Sequence, residues 1–549
     1  MAPAHDVFSR LEQLNRIGAA LSKERDINSL LESILMAAME LTRADGGTLY
    51  LMSEKRDALI FTIMRNNSMG IALGGTTGRA IDLPPLSLVT PDGQPNDSLV
   101  AVWAVMHDKT VNVADAYEEA GFDFSGPRQF DARMNYRSKS FLTVVLKDHE
   151  DEILGALQLI NATDHRTAQA VAFSQADQGL AESLASQASI ALTTRRLIVQ
   201  QEVLFESFIS MINTAIDEKS PYTGGHCQRV PELTMMLAEA TLSCVEGPLA
   251  SFHMTEKDRY ELKIAGLLHD CGKITTPIHV VDKATKLETI FDRIDLVEMR
   301  YEVLKRDAKI QALEQTLALR TAQNPVAELT AMDGYETAHS ALQQEFEFLR
   351  RCNTGGESMK FEEQERIRHI GASRTWCNRV QAVMPGLTEN EMENLTIKAG
   401  TLTAMERQEI NHHIVATIRM LEALPWPRHL TRVPEYAGGH HERMDGKGYP
   451  RGLKGADMSL QARMMAVADI FEALTASDRP YKQGMTLSRS LDILSNFARN
   501  GHIDPDLFEV FVQKGVYLQY ASLYLKPSQL DEVDAQKLLA HARGGVNPA

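Results

Sequence analysis

A chain of 549 residues, 44% hydrophobic and 24% charged, has an ordinary globular composition and is too long for a single hydrophobic core. A formal net charge of −16 without any lysine- or arginine-rich block argues against a broad nucleic-acid-binding surface, while leaving room for a small basic pocket for one nucleotide. Five scattered cysteines (Cys227, Cys244, Cys271, Cys352 and Cys377) without a C-x-x-C pair argue against a disulfide framework and a thiolate zinc site.

In chain order, Phe8, Leu11, Leu14, Ile17 and Leu21 recur every three or four residues, and "NSLLESILMAAMEL" keeps that period, predicting helices. The stretches "GGTLYLM", "ALIFTIM", "TVNVADA", "SFLTVVLK" and "EILGALQLINA" are short and rich in β-branched residues, predicting strands. Together they suggest an α+β module over residues 1–166. From residue 167 to about 215 there is one Gly and no Pro, predicting one long helix or two in line, with a linker at 167–212. Its partial stripes, Leu180/Leu184/Ala188/Ala191 and Leu204/Phe208/Met211/Ile212, fit a homodimer seam or packing on their own domain equally well. Residues 213–549 are almost wholly helical in pattern. They include a stretch at about 290–400, too long for a loop, where Ile294/Val297/Tyr301/Leu304 and Ile310/Leu313/Leu317 predict a helical hairpin or coiled-coil insertion. No apolar run approaches the roughly 20 residues of a membrane span. The opening "MAPAHDVFSR" has no basic flank ahead of an apolar core, so the expected location is cytoplasmic, without a membrane partner.

The polar residues of this last segment carry the chemistry. "LLHDCGK" sets His269 and Asp270 directly after two leucines, and buried ionisable groups are costly unless paired or bound to a metal. Alone, an HD dipeptide reads as a capped helix end. The balance shifts once His226 after a Gly-Gly turn, His413 on an amphipathic helix, His440 and His441 in "HHERMDGKGYP", and Asp469 inside an apolar helix are collected. Imidazoles with carboxylates suit iron, manganese or zinc, and the lack of thiolates disfavours a structural zinc. Seven candidates exceed the needs of one ion, so two divalent ions fit better. His412 lies one helical position, about 100°, from His413 and reads as a surface or outlying residue, while Asp445 shapes the Asp-Gly turn.

"HDCGK", "HHERMDGKGYP" and "DRPYK" together resemble the HD-GYP group of the HD-domain phosphohydrolases, over roughly residues 205–290 and 400–525. The resemblance implies an all-α helical bundle that hydrolyses cyclic di-GMP to linear pGpG or onward to GMP. It implies iron or manganese held by His226, His269, Asp270, His413, His440, His441 and Asp469. It places His269, Asp270 and Lys273 in catalysis, and Lys273, Arg479, Lys482 and Tyr449 against the substrate. Three-metal members carry a glutamate where this chain has Tyr222, which implies two metals here. Another cyclic dinucleotide or nucleotide as substrate, and a non-catalytic dinucleotide receptor, stay open.

The first module resembles a GAF domain, through its helix–strand order and "SFLTVVLKDHEDEILGALQLINATD". Cyclic-nucleotide-binding members carry an Asn-Lys pair, a Phe, and an Asp-Glu pair. The matching residues here are Asn161, Ala162, Phe173, Asp177 and Gln178, with the lysine and the glutamate replaced. A small-molecule ligand and a ligand-free dimerisation module both remain open. His107 and His149, lone histidines in expected loops, are not read as haem ligands. The expected whole is a multidomain chain: a GAF-like domain, a helical linker, and an HD-GYP domain at 213–549 interrupted by a helical insertion at about 290–400.

Overall fold

The computed structural model describes the chain apart from residues 1, 25, 165, 220–224, 322–324, 357, 381, 478–483 and 545–549. It divides into two compact units, Met1–Phe205 and Glu206–Ala549. Among the described residues no helix is long and apolar enough to cross a membrane.

In the first unit, α1 (Ala2–Leu21) and α2 (Ile27–Thr42) precede β1 (Ala44–Met52), β2 (Ala58–Asn66), β3 (Ile71–Gly74) and β4 (Leu86–Ser87). Then come α3 (Val100–His107), β5 (Val111–Val113), α4 (Ser125–Met134), β6 (Phe141–Lys147), β7 (Ile153–Thr163), β8 (Ala170–Val171) and α5 (Gln175–Lys219). The sheet order is β3-β2-β1-β7-β6-β5, and its pairs are antiparallel. Strand alternation builds two cores from one sheet. Leu157 and Leu159 of β7 face α1, α2 and the first part of α5, whereas Ala156 and Gln158 face the side on which α3 packs.

The predicted strands lie in β1, β2, β5, β6 and β7, but the segment between β3 and β6 differs from expectation. "VAVWAVMH" forms α3, a helix apolar on nearly every face that offers no 3.6-residue stripe to read. His107 therefore ends a helix, stacked on Trp103 at 4.4 Å, rather than standing in a loop; His149 does lie in a turn. The long stretch predicted after residue 167 is one helix, α5, of 45 residues. Its first stripe packs on its own domain, with Leu184 and Ala188 buried and Leu180 and Ala191 against them. The second does not: Leu204, Phe208 and Met211 are more than half exposed, at 57%, 52% and 58%.

The second unit is a helical bundle. It runs through α6 (His226–Leu242), α7 (Glu256–Leu268), a 3-10 turn (Cys271–Thr275) and α8 (Ile278–Val281). After an insertion it resumes with α13 (Ala404–Glu422), α14 (Val433–Gly439), α15 (Leu460–Thr475), α16 (Leu487–Arg499), α17 (Pro505–Gln513), α18 (Val516–Tyr524) and α19 (Ala535–Ala542). Two glycines set its closest contacts. A Cβ on Gly266 would lie 3.0–3.1 Å from Pro231, so Gly266 lets α7 press against α6. A Cβ on Gly272 would meet the His413 carbonyl oxygen at 2.0 Å, so only glycine allows the 3-10 turn to lie on α13. Beneath α15, Phe471 packs edge-on against Phe511 (5.0 Å) and Tyr520 (5.8 Å), contacts each contributing about 0.5–1.5 kcal/mol.

The insertion comprises α9 (Ile294–Thr321), α10 (Pro325–Asn353), α11 (Phe361–Ser373), the strand pair β9 (Thr375–Cys377) and β10 (Val383–Pro385), and α12 (Glu389–Leu395). It has its own core around Val297, Tyr301, Phe346, Leu349, Ile367 and Leu395. The first predicted stripe of α9 packs into that core. Ile310, Leu313 and Leu317 continue the helix but stay 52%, 49% and 68% exposed. At its root Lys283, whose side chain is fully buried, donates to Asn394 Oδ1 of α12 (2.7 Å) and to both Glu406 oxygens of α13 (2.8 Å each).

Candidate metal centre

Five elements converge on one buried point. His226 opens α6, His269 and Asp270 follow α7, His413 sits mid-way along α13, His440 and His441 follow α14, and Asp469 lies on α15. All are buried except His441, which is half-buried. His226 Nε2 lies 3.2 Å from Asp270 Oδ2, 3.2 Å from Asp469 Oδ1 and 3.3 Å from His269 Nε2. His413 Nε2 is 3.2 Å from Asp270 Oδ1. Two subsets can each place one ligand atom per residue within 4.8 Å of the others: His226/His269/Asp270 and His413/His440/His441.

The imidazoles are aimed by a repeated device. The Nδ1–H groups of His269 and His440 donate to the carbonyls three residues back, Gly266 (2.7 Å) and Ala437 (2.6 Å), and that of His413 does the same to Ile410. A carbonyl oxygen can only accept, so the proton sits on Nδ1 and the Nε2 lone pair faces the centre. His226 Nδ1 instead meets Glu472 Oε2 at 2.5 Å, and Arg229 holds the other Glu472 oxygen at 2.6–2.7 Å. Glu472 stands one turn beyond Asp469 on α15 and is 1% exposed. Sequence reasoning missed it, although its position inside an apolar helix is the same signal that exposed Asp469. It also missed Glu442, whose carboxylate accepts from the backbone N–H groups of Arg451 (2.7 Å) and Leu453 (2.9 Å) and ties down the Gly-Tyr-Pro loop.

The donor set fits a cation. Asp270 Oδ1, His413 Nε2 and His440 Nε2 are buried, and each lacks a hydrogen-bond partner. His413 and Asp270 approach closely without forming a hydrogen bond, as two lone pairs directed at a common third point would. Electrostatics divide the centre. Burial, then their histidine neighbours, push His440 well below the ordinary imidazole value, and burial brings His441 down to about 4, leaving neutral donors. Burial opposes charge on His226 too, but hydrogen bonds to Asp270, Asp469 and Glu472 outweigh it and hold it well above that value. Asp270 stays well below the carboxylate range despite burial, because Lys273 and His269 face it.

Lys273 Nζ sits 2.5 Å from Asp270 Oδ2, with its side chain 24% exposed. Tyr449 stacks on His441, ring centroids 4.8 Å apart. His412 is exposed, and Asp445 Oδ1 accepts from Lys447 N–H in the Asp-Gly turn. Tyr222, Arg479 and Lys482 lie outside the described residues.

Comparison with known proteins fits this picture. A GAF domain model matches residues 26–192, and two HD domain models match residues 223–332 and 378–507. The gap between the two HD matches falls within the insertion. The chain is 41% identical over 97 residues to 3'3'-cGAMP-specific phosphodiesterase 1 of Vibrio cholerae, covering 18% of this chain and 22% of that protein. It is 38% identical over 152 residues to a cyclic di-GMP phosphodiesterase of Pseudomonas aeruginosa, covering 28% and 34%. A third relative, 3'3'-cGAMP-specific phosphodiesterase 3 of Vibrio cholerae, is 36% identical over 138 residues, covering 25% and 29%. The chain thus spans 22–34% of the length of these relatives.

Fold and centre define an HD-domain protein, all-helical around its histidines and aspartates and preceded by an α+β GAF domain. Within that class the HD matches and the relatives, named cyclic di-GMP phosphodiesterases, make the chain similar to the HD-GYP group. Its buried His/Asp groups are those of a protein that uses divalent metal.

Proposed function

We propose that this chain is a phosphodiesterase hydrolysing cyclic di-GMP to pGpG, GMP or both, with two divalent ions, iron or manganese, held by His226, His269, Asp270, His413, His440, His441 and Asp469. The observation that carries this reading is a set of three buried polar atoms left without hydrogen-bond partners: His413 Nε2 and His440 Nε2, in residues that can place ligand atoms within 4.8 Å of each other, and Asp270 Oδ1, 3.2 Å from His413 Nε2. When bound, the ions would supply an activated water and charge to offset the leaving oxygen. The protein's part is positional. The i−3 carbonyls and Glu472 fix the imidazole tautomers, and Lys273 holds a positive charge beside Asp270 where a phosphate would sit. Tyr449, braced on His441, walls the cleft. Arg479 and Lys482 would add charge against the phosphates.

A second reading, cleavage of 3'3'-cGAMP, is favoured by two of the relatives named above. We place the enzyme in the cytoplasm as a homodimer. Ile190, Leu197, Leu204 and Met211 repeat every seven residues on α5 and are each more than half exposed. The test is anaerobic purification, metal analysis per chain, and chromatography of cyclic di-GMP, 3'3'-cGAMP and cyclic di-AMP after incubation with Fe(II) or Mn(II). About two metals and turnover of cyclic di-GMP are expected. No turnover of any of the three would overturn the enzyme reading and leave a receptor.

A further inference from the structure

The GAF unit contains a cavity of about 520 Å³ between the sheet and the segment carrying α3 and α4, a size suited to one small molecule. Its walls are mostly apolar, with Tyr50, Phe61, Phe124, Phe130, Phe141 and Ile160 among them. Among the described residues that line it, only Arg65 and Asp123 carry a charge. Arg65 is already engaged: its guanidinium donates to the carbonyls of Met64 (2.8 Å), Leu73 (2.5 Å) and Gly74 (3.3 Å) and pairs with Glu32 at 2.8 Å. Asp123 is held below the ordinary carboxylate range by the hydroxyl and backbone N–H of Ser125, so it is an anion at neutral pH.

Four of the neutral polar groups that line it, Tyr50, Gln158, Tyr136 and Ser138, are also engaged within the protein. Tyr50 OH donates to Gln158 Oε1 (3.2 Å), and Gln158 Nε2 donates to Thr143 (3.0 Å). Tyr136 OH donates to Asp45 (2.6 Å), and Ser138 OH donates to Asp131 (2.8 Å). Asn161, the residue matching the cyclic-nucleotide pattern, is not among the lining residues, and its side chain is engaged by backbone and by Tyr136 OH (2.9 Å). Its oxygen accepts from Lys139 N–H (2.7 Å) and Ser140 N–H (3.2 Å), and its amide donates to the Arg137 carbonyl (2.8 Å). A phosphate entering this cavity would lose its hydration and find its one lining cation, Arg65, already held by three carbonyls and Glu32, with the carboxylate of exposed Asp123 adding repulsion.

We infer that the GAF cavity takes a neutral, largely apolar small molecule, and not a cyclic nucleotide or another anion. Any polar group on that molecule would be a hydrogen-bond donor directed at Asp123. The inference rests on reading this unit as a ligand-binding module and is independent of the metal centre.

The test uses the full chain and the neutral fluorophore N-phenylnaphthylamine, followed by emission, with cyclic GMP and cyclic AMP as competitors. Saturable binding of one probe per chain is expected, with no displacement by either nucleotide. Ala101→Trp, which fills the cavity from α3, should abolish binding. Phe130→Ala, at a 41%-exposed rim position where folding is not at stake, should weaken binding about tenfold, as loss of one aromatic contact would. Probe binding unchanged in both variants would place the probe elsewhere and overturn the inference. Displacement by a cyclic nucleotide would overturn the ligand class while leaving the ligand-binding reading intact. Binding of neither probe nor nucleotide would overturn both.

Discussion

The metal centre and the GAF cavity both gather buried polar side chains, yet they treat those side chains in opposite ways. In the centre, Asp270 Oδ1, His413 Nε2 and His440 Nε2 are buried without partners. Around the cavity, Arg65, Gln158, Tyr136 and Ser138 are each paired within the unit. An unpaired buried polar atom costs about 1–3 kcal/mol, so a fold that keeps three in one centre depends on something else to complete them. A cavity whose polar groups are spent offers mainly apolar surface. Hydrogen-bond bookkeeping, rather than shape, separates the two sites.

The largest effect should come from removing the carboxylate and imidazole that the centre is built around. His269→Ala with Asp270→Ala is expected to lower cyclic dinucleotide turnover by at least about 10³-fold and to abolish stoichiometric metal, while N-phenylnaphthylamine still binds. Residual turnover near the wild-type rate would sink the site assignment, and loss of probe binding would show that the two sites are not separable.

Lys283 supplies the control. It is as deeply buried as Asp270, but its charge is fully met by Asn394 and Glu406. Lys283→Met should therefore destabilise the second unit by about 1–3 kcal/mol, because the partly buried Glu406 keeps only its bond from Thr403 N–H and loses its cation at the root of the insertion. Adding Glu406→Leu should recover most of that loss in a denaturant melt. If the double variant is no more stable than the single, the pair is not the anchor its geometry describes.

The contrast also explains what could be read from the sequence. Histidines and aspartates in apolar surroundings are legible because burial makes them costly, and the strands of the sheet are legible through alternation. Glu472 carried the same signal as Asp469, a carboxylate inside an apolar helix, but its role could not be read because its partner, His226, is 246 residues away. The helix α3 escaped because "VAVWAVMH" is apolar all round, so no periodicity marks it. The cavity could not be read at all. Arg65 looks like an available cation in sequence, and only the folded chain shows three carbonyls and Glu32 occupying it.

That occupancy can be tested by pH. Burial raises the Glu32 pKa, but hydrogen bonds from Arg65 and Thr76 outweigh it and bring it down to about 2. Because the folded value is depressed, the stabilisation is complete above the unfolded value of 4.5 and lost as pH falls towards 2. It amounts to roughly 3 kcal/mol at neutral pH. Glu32→Gln should lower the GAF unit's stability by about that amount at pH 7, and the two proteins should converge as pH falls through that window. Parallel curves for wild type and variant would show that Glu32 does not hold Arg65.

The smallest effect is the one that best separates holding a metal from shaping its site. Glu472 touches His226 through Nδ1, on the side of the ring away from the centre, and Arg229 anchors it from behind. Glu472→Gln keeps the volume and one acceptor oxygen but places an amide N–H₂ against either Arg229 or the His226 Nδ1–H. The ring then loses a charged partner while its Nε2 stays in place. Metal affinity, measured by competition with a chelator, should fall by about 10–100-fold, with the melting curve little changed. Arg229→Lys, which preserves the charge but not the forked geometry, should give a weaker shift of the same sign. If both variants bind metal as wild type does, His226 is oriented by its place at the start of α6 and not by Glu472. The separation between groups that hold the metal and groups that aim them would then have to be drawn closer to the centre.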